Sequence, residues 1–408
     1  MFAKTAWKNL WRNRRRTVIT VTAMALGLAL AIFFIAWGEG VYSRLIDQAV
    51  RLQAGHITLE APGYLDAPAV DLTIPHANRL AAEIAALPDV ERVKPIVLGQ
   101  GMAKSGADAV GVVITGVLPS AERAASPIVQ NMKEGRYLED GDHALAVMGT
   151  KLAERLDLMP GKKLVIATND VSGNLTEVLC RVAGLFETGA DEVDGYYVQV
   201  PISFARKVFN MPEDQVTQLG VVLKNPDLQR RVMAEIRALV PAKEAVVLPW
   251  QEVMPEVASY IRMDSASNWV FQGILLFLVL FTIFNTVLMS VLERRREFAI
   301  LLAIGTTPMR LATMVFFESV FLGLLGCGMG VLVGAGLSWF FNVVGIDMAS
   351  LLPEGINISG FAVSTKIFTK LSAGIVLVPA GLVFAAILLL AAIPMRRAAK
   401  TRLAENLR

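Results

Sequence analysis

Apolar residues are concentrated in four long blocks rather than spread evenly along the chain. Each block exceeds the roughly 20 residues that an α-helix needs to cross about 30 Å of hydrocarbon. The pattern therefore predicts four transmembrane helices, at 17–38, 269–292, 311–341 and 371–393. The first block has no small-residue cleavage site at its end, so we interpret it as a retained helix rather than a signal peptide.

Between the first and second blocks, the pattern changes to short segments that alternate between strand and helix periodicity. The flanks of this region predict one α/β subdomain, and a glycine-punctuated, strand-rich insert predicts a second, mostly β subdomain at about 122–212. The segments with the clearest periodicity are strands at 57–60, 90–98, 110–117, 218–223 and 245–248 and helices at 76–87 and 226–240. Residues 39–268 thus form one α+β domain.

The distribution of charge gives the chain an orientation. Only 18% of the residues are charged, and 54% are hydrophobic. Residues 39–268 hold 22 Lys/Arg against 30 Asp/Glu, whereas 1–16, 293–310 and 394–408 together hold 15 basic and three acidic residues. Basic residues near membrane spans stay in the cytoplasm. The chain is therefore predicted to be a multi-pass protein of the inner (plasma) membrane, with both termini and the 293–310 linker cytoplasmic and with 39–268 and the short 342–370 loop outside.

The first 16 residues form an amphipathic pattern. One helical face carries apolar residues and the opposite face carries Lys and Arg; the apolar positions are Phe2, Ala3, Ala6, Trp7 and Leu10. Such a helix lies in the membrane interface and contacts lipids. The alternative is a basic flank that sets orientation and has no other role.

No set of residues suggests catalysis by this chain. The two cysteines are too few for a disulfide framework, and the three histidines have no metal-ligand spacing. Gly161-Lys-Lys163 lacks the first glycine and the hydroxyl residue of a phosphate-binding loop. We therefore expect a non-enzymatic chain that contains no cofactor or metal and has no nucleic-acid partner.

Two features of the third block suggest particular contacts. Gly326, Gly330 and Gly334 are four residues apart, so they expose backbone along one helix face and predict close helix packing. The partner is either the second or fourth span of the same chain or a second copy. Glu318 interrupts the apolar run near its cytoplasmic end, where local hydrogen bonding or capping is favoured over proton relay.

The linker after the second block has a helical pattern that ends at Gly305, with Pro308 just beyond. Glu293 and Glu297 lie one turn apart, and an apolar ridge of Phe298, Leu301 and Leu302 follows. A charged helix with such a ridge suits docking of a partner protein. A solvated face is the alternative.

At this linker the sequence resembles a known family. Residues 285–326, which begin NTVLMSVLERRREFAILLAIG, resemble the core motif of the FtsX-like, MacB-type superfamily of ABC transporter permeases. The resemblance extends to the basic start at 9–12, to AGHITLEAPGY at 54–64, to 135–166 and to the tail at 393–408. In MacB the ATPase domain is fused to the permease. The arrangement without a fused ATPase domain and the 54–64 sequence are most similar to the lipoprotein-release LolC/LolE branch.

The resemblance implies a type VII architecture, with four membrane helices and an external domain of one porter-like α/β lobe and one β-rich lobe. It also implies that the linker is a coupling helix, which docks on a separate ATPase subunit that binds ATP and Mg²⁺. Carried over by position, the ATPase contacts are Glu293, Arg294, Arg296, Glu297, Leu301, Ala303 and Gly305. A second permease copy or homologue completes a dimer.

The expected function is that of a permease subunit whose external domain moves or releases a lipoprotein or a lipid-like amphiphile, with a lipoprotein carrier as an external partner. The alternative is a MacB-like efflux permease for peptides or drugs that works with a periplasmic adaptor. A membrane receptor would need a cytoplasmic signalling module, and a secondary transporter would need more spans and polar midplane residues. The sequence has neither set of features.

Overall fold

The computed structural model of the chain divides into two compact units. The helical unit comprises Met1–Tyr42, Arg262–Ser350 and Lys366–Arg408, and the sheet unit comprises Ser43–Ile261 and Leu351–Thr365. The structure describes residues 2–53, 55–123, 126–293, 295–347, 356–358, 361–363 and 366–399. The predicted tail beyond residue 399 lies outside the described residues.

The α-helices within the described residues range from single turns to spans of 39 residues. They are α1 (Phe2–Leu10), α2 (Arg14–Leu52), α3 (Ala77–Ala85), α4 (Pro119–Glu122), α5 (Pro127–Gln130), α6 (Thr150–Arg155), α7 (Asp191–Tyr196), α8 (Ile202–Val208), α9 (Gln229–Leu239), α10 (Trp250–Val253), α11 (Pro255–Glu293), α12 (Arg295–Ala303), α13 (Pro308–Val344) and α14 (Ala373–Ala399).

The β-strands in the same residues are mostly in the sheet unit. They are β1 (Ile57–Glu60), β2 (Val90–Lys104), β3 (Ala109–Val117), β4 (Met132–Gly135), β5 (Leu145–Gly149), β6 (Lys163–Asn169), β7 (Leu175–Phe186), β8 (Tyr197–Pro201), β9 (Gln218–Leu223), β10 (Val246–Pro249), β11 (Ile346–Asp347), β12 (Ile356–Ile358), β13 (Phe361–Val363) and β14 (Lys366–Ile367).

Four of the described helices are long and apolar enough to cross a membrane: α2, α11, α13 and α14. They correspond to the four blocks that the sequence predicts, but α2 and α11 are much longer than those blocks. Each has 39 residues and so extends about 58 Å, nearly twice the hydrocarbon thickness. The helix α2 continues past residue 38 because Leu45, Ala49 and Val50 keep a helical apolar spacing and are buried.

The glycine face of α13 packs against α2 within the helical unit. A methyl group added at Gly330 would lie 2.9 Å from Leu28 Cβ, and one added at Gly334 would lie 2.9 Å from Ala29 Cα. Gly326 lies against Met24 in the same way. The helices approach this closely because these positions lack side chains. The partner in the structure is thus the first span of the same chain, whereas the sequence suggested the second span, the fourth span or a second copy.

The amphipathic N-terminal segment forms α1, as its pattern predicts. Ala6 and Leu10 are buried in the core of the helical unit, and the ring of Trp7 lies 5.5 Å from that of Phe321 on α13 in an edge-on arrangement. The apolar face of α1 therefore packs on the protein, while Trp7 and Trp11 remain partly exposed.

The main sheet of the sheet unit has the strand order β10-β1-β9-β2-β3-β8-β5-β7-β4, and β6 pairs with β2 and β7. The strands β12 and β13 form a separate two-stranded sheet. The long strand β2 pairs with β9 from Val90 to Ile96 and with β3 from Ile96 to Lys104. The strand-rich insert is therefore hydrogen-bonded to the flanking strands, which the prediction had assigned to a different subdomain. Sequence periodicity missed this continuity because it predicted that β2 ends at residue 98.

The helices of the sheet unit cover its apolar strands. Leu80 and Ile84 of α3 and Val232 and Ile236 of α9 belong to the core, as the helical spacing predicts. Pro226 begins a 3₁₀ turn that precedes α9, and the side chain of Asn225 caps this turn by accepting a hydrogen bond from the amide of Asp227.

Candidate functional site

The linker between α11 and α13 contains the short helix α12, which begins at Arg295 and ends at Ala303. Gly305 has φ +95°, a conformation that favours glycine, and it follows the end of α12. The amides of Gly305 and Thr306 close the last turn by donating to the carbonyls of Leu302 (3.1 Å) and Leu301 (3.0 Å). The predicted helix end at Gly305 is thus confirmed. Arg294, one of the predicted contact residues, lies outside the described residues.

One face of α12 points into the helical unit. Phe298 and Ala299 are buried, and Leu301 and Leu302 are half-buried against the same apolar core, which includes Leu311. Of the predicted ridge, Phe298 is therefore buried in its own chain, whereas contact of the half-buried Leu301 and Leu302 with a partner stays a prediction.

The opposite face of the linker is exposed and partly apolar. Ile300 is 50% exposed, Ile304 is 78% exposed, and Met309 at the start of α13 is 70% exposed. Arg296, Ala303 and Gly305 are also exposed. Ile300 and Ile304 lie one turn apart and form a second apolar stripe that the sequence analysis missed. The i,i+4 spacing was visible, but the stronger stripe beside it obscured the signal.

Two acidic residues of the linker form ion pairs with the N-terminal segment. Arg12 donates to Glu297, and Arg16 donates to Glu293. The partners are four residues apart on each side and pair in opposite chain order, so the two ion pairs connect the same two segments. Because the Glu297 side chain is 41% exposed, solvent screens the pair and limits its contribution to about 1 kcal/mol. These carboxylates therefore orient α12 against the first helices.

Glu318 lines a small polar cavity of about 50 Å³ within the helical unit. The other polar residues around it include Asn13, Arg16, Thr17 and Thr286. The acidic side chain within the apolar block thus lies near basic and hydroxyl groups, which agrees with the local hydrogen bonding that the sequence favoured.

The two cysteines and His56 are buried side chains of the fold. Both cysteines are free and buried, and burial raises the pKa of Cys180 to about 12. His56 is buried, and burial lowers its pKa to about 4, so the imidazole is neutral near pH 7. Its Nδ1 accepts a hydrogen bond from the amide of Leu223 at 3.2 Å. In the described part of the chain, no group of three His, Cys, Asp or Glu residues is arranged to hold a metal ion.

Two family models match nearly the whole chain. Residues 17–239 match the MacB-like periplasmic core domain, and residues 269–403 match the FtsX-like permease C-terminal domain. The first match includes the first apolar helix, and the second match begins within α11, so the order of one span, a large domain and three spans agrees with the pattern of the chain.

Individual relatives are distant but cover much of the chain. The lipoprotein-releasing system transmembrane protein LolC of Neisseria meningitidis is 26% identical over 100% of both chains. LolC of Xylella fastidiosa is 22% identical over 79% of this chain and 76% of its own length. The macrolide export ATP-binding/permease protein MacB of Nitrosomonas europaea is 24% identical over 81% of this chain and 50% of its own length. The chain is therefore a multi-pass membrane protein that belongs to the FtsX-like, MacB-type family of ABC transporter permeases.

Proposed function

We propose that this chain is the permease subunit of an inner-membrane transporter of type VII, which couples ATP hydrolysis by a separate ATPase to movement outside the membrane. The exposed face of the α12 linker carries this proposal. The charge asymmetry of the whole chain orients the linker and both termini to the cytoplasm and the sheet unit to the periplasm. ATP and Mg²⁺ bind to the partner, and this chain takes no part in hydrolysis.

The docking surface consists of the exposed apolar positions Ile300, Ile304 and Met309, with Arg296, Ala303 and Gly305 beside them. Apolar side chains that are exposed together on a cytoplasmic linker favour burial by a protein partner. Arg294, which lies outside the described residues, stays a predicted contact of the ATPase. Glu293, Glu297 and half-buried Leu301 belong to the same segment and fix its orientation through the contacts described above.

The proposed cargo is a lipoprotein or a similar amphiphile, which a carrier accepts outside the membrane. The full-length match to a lipoprotein-releasing protein supports this choice. The match to a macrolide export protein supports the second candidate, efflux of a peptide or drug with a periplasmic adaptor. Four spans enclose little space, so two permease copies or homologues pair in the membrane.

Introducing a charge at the exposed tip should weaken association with the ATPase. We expect Ile304→Asp to reduce affinity about tenfold, because a carboxylate replaces the most exposed apolar side chain of the proposed surface. Co-purification of the co-expressed ATPase subunit and its ATP turnover are the measurements. Met159→Asp is the control, since Met159 is also exposed but lies in the sheet unit. Equal complex yield for both variants would contradict ATPase docking at this surface.

The proposed orientation is tested with reporter fusions. A reporter that is active only outside the cytoplasm should be active after Asp170 and inactive after Arg310, because positive charge is retained on the cytoplasmic side. The reciprocal cytoplasmic reporter provides the control at both positions. Activity of the first reporter after Arg310 would overturn the assignment of the linker to the ATPase side.

A further inference from the structure

The last turn of α2 ends on a buried lysine of the sheet unit. Lys94 lies on β2 and is 4% exposed. Its Nζ donates to the carbonyl oxygens of Arg51 at 2.7 Å and Gln53 at 3.2 Å, and it lies 2.7 Å from Oε1 of Glu122. The three protons of the ammonium group thus have three acceptors.

The contacts of Lys94 complete the hydrogen bonding of a helix end. The last carbonyls of an α-helix have no partner within the helix, and this end carries a partial negative charge. Here the amides of Gln53 and Gly55 satisfy the carbonyls of Ala49 and Val50. Lys94 supplies donors for the carbonyls of Arg51 and Gln53, so a full positive charge caps the C-terminal end of α2.

Glu122 compensates the buried charge of Lys94. Burying an unpaired ammonium group is costly, and a paired carboxylate reduces that cost. Glu122 ends α4 and is itself buried. Glu122 and Ser126 line a void of about 10 Å³, which is roughly the space of one water molecule.

Close backbone contacts fix the chain where it enters the sheet after α2. Gly55 has φ +87°, and a methyl group added to it would lie 2.6 Å from the backbone nitrogen of Val221. The next residue, His56, donates its amide to the carbonyl of Val221 at 2.8 Å and accepts from the amide of Trp250 at 3.0 Å. The helix end is therefore attached directly to β9 and to the segment that leads into α11.

The strand that carries Lys94 connects the two parts of the sheet. Lys94 pairs with Gly220 in the half of β2 that contacts β9, and the other half of β2 pairs with β3 and β6. A displacement of the α2 end therefore acts on a strand that is hydrogen-bonded to β6 of the strand-rich insert.

We propose that Lys94 is a positioning residue, which with Glu122 fixes the end of α2 to β2 and so transfers the motion of this helix to the sheet unit. This inference rests on the proposed function for its role in transport. The contact of Lys94 and Glu122 with the end of α2, here called the joint, exists in the isolated chain. The ion pair fixes the helix end because it is buried, whereas an exposed pair on the same strand would exchange with water.

Three variants separate positioning from fold stability. Lys94→Met removes the cation and leaves Glu122 buried without a partner. The double variant Lys94→Met with Glu122→Leu replaces the pair with apolar groups, which often preserves stability. Lys104→Met is the matched control, because Lys104 lies on the same strand and pairs with Glu177 at 2.7 Å, but is 37% exposed.

Amide hydrogen exchange on the full chain in lipid nanodiscs tests the joint without the ATPase. We expect exchange at Gln53 and Gly55 to be about tenfold faster in Lys94→Met and in the double variant, because both lose the cap. We also expect the thermal midpoint of the double variant to stay near that of the wild type. Unchanged exchange in both variants would reject the joint. Faster exchange in Lys94→Met alone, with wild-type exchange in the double variant, would mean that the pair only stabilises the fold and does not position the helix end.

Transport coupling is measured with the ATPase complex. Spin labels at Met159→Cys in both copies, with Cys180 and Cys327 replaced by alanine, report the distance between the sheet units. We expect the difference between nucleotide-free and ATP-trapped states to shrink by about half or more in the double variant and to persist in Lys104→Met. A full shift in the double variant would overturn the positioning role. No shift in the wild type would instead refute the proposed function, while the exchange result would still stand.

Discussion

Replacing Gly334 with leucine is expected to lower the free energy of unfolding by about 3 kcal/mol. A side chain at this position would meet the backbone of α2, since even a methyl group would lie 2.9 Å from Ala29 Cα and 3.0 Å from Ala29 O. Backbone atoms cannot move aside as a flexible side chain can. The two helices must therefore separate and lose the close packing that glycine permits.

The matched control for Gly334→Leu is Gly336→Leu. Gly336 lies two residues further along α13, and nothing lies within 4 Å of a methyl group added there. Thermal unfolding of both variants in the same detergent measures the difference. Equal destabilisation would mean that leucine acts through the helix itself, and it would contradict packing of this face against α2.

Reversing the two linker acids is expected to weaken association with the ATPase about 30-fold, and reversing their arginine partners should restore most of it. Glu293→Lys with Glu297→Lys places like charges beside Arg16 and Arg12, so repulsion replaces two parallel ion pairs and displaces α12. Adding Arg12→Glu and Arg16→Glu recreates both pairs with opposite polarity. Affinity for the co-purified ATPase is the measurement.

This rescue distinguishes positioning from direct contact. If Glu293 and Glu297 bound the ATPase themselves, restoring their internal partners would leave affinity low. Arg14→Glu with Arg15→Glu is the control, because it makes the same change in N-terminal charge at residues outside the two described pairs. Equal rescue by the control would attribute the effect to net charge rather than to the geometry of α12.

Local patterns predicted the features that depend on neighbouring residues. The four apolar blocks, the α1 amphipathic face and the end of α12 just before Gly305 each follow from spacing within one segment. The same spacing could not assign the two apolar stripes of α12 to their environments. Phe298 and Ile304 are both apolar, and the packing of α12 on the rest of the helical unit decides which one is buried.

Sequence by itself determined the class of this protein. Two features decided it: runs of apolar residues long enough for membrane helices, and a one-sided charge distribution. Both can be recognised without any tertiary contact. Tertiary structure alone decided how the functional groups are paired. Lys94 and Glu122 are 28 positions apart, and Arg12 and Glu297 are 285 apart. Each pair depends on the folding of separate segments to a common place, and no periodicity along the chain encodes such a distance.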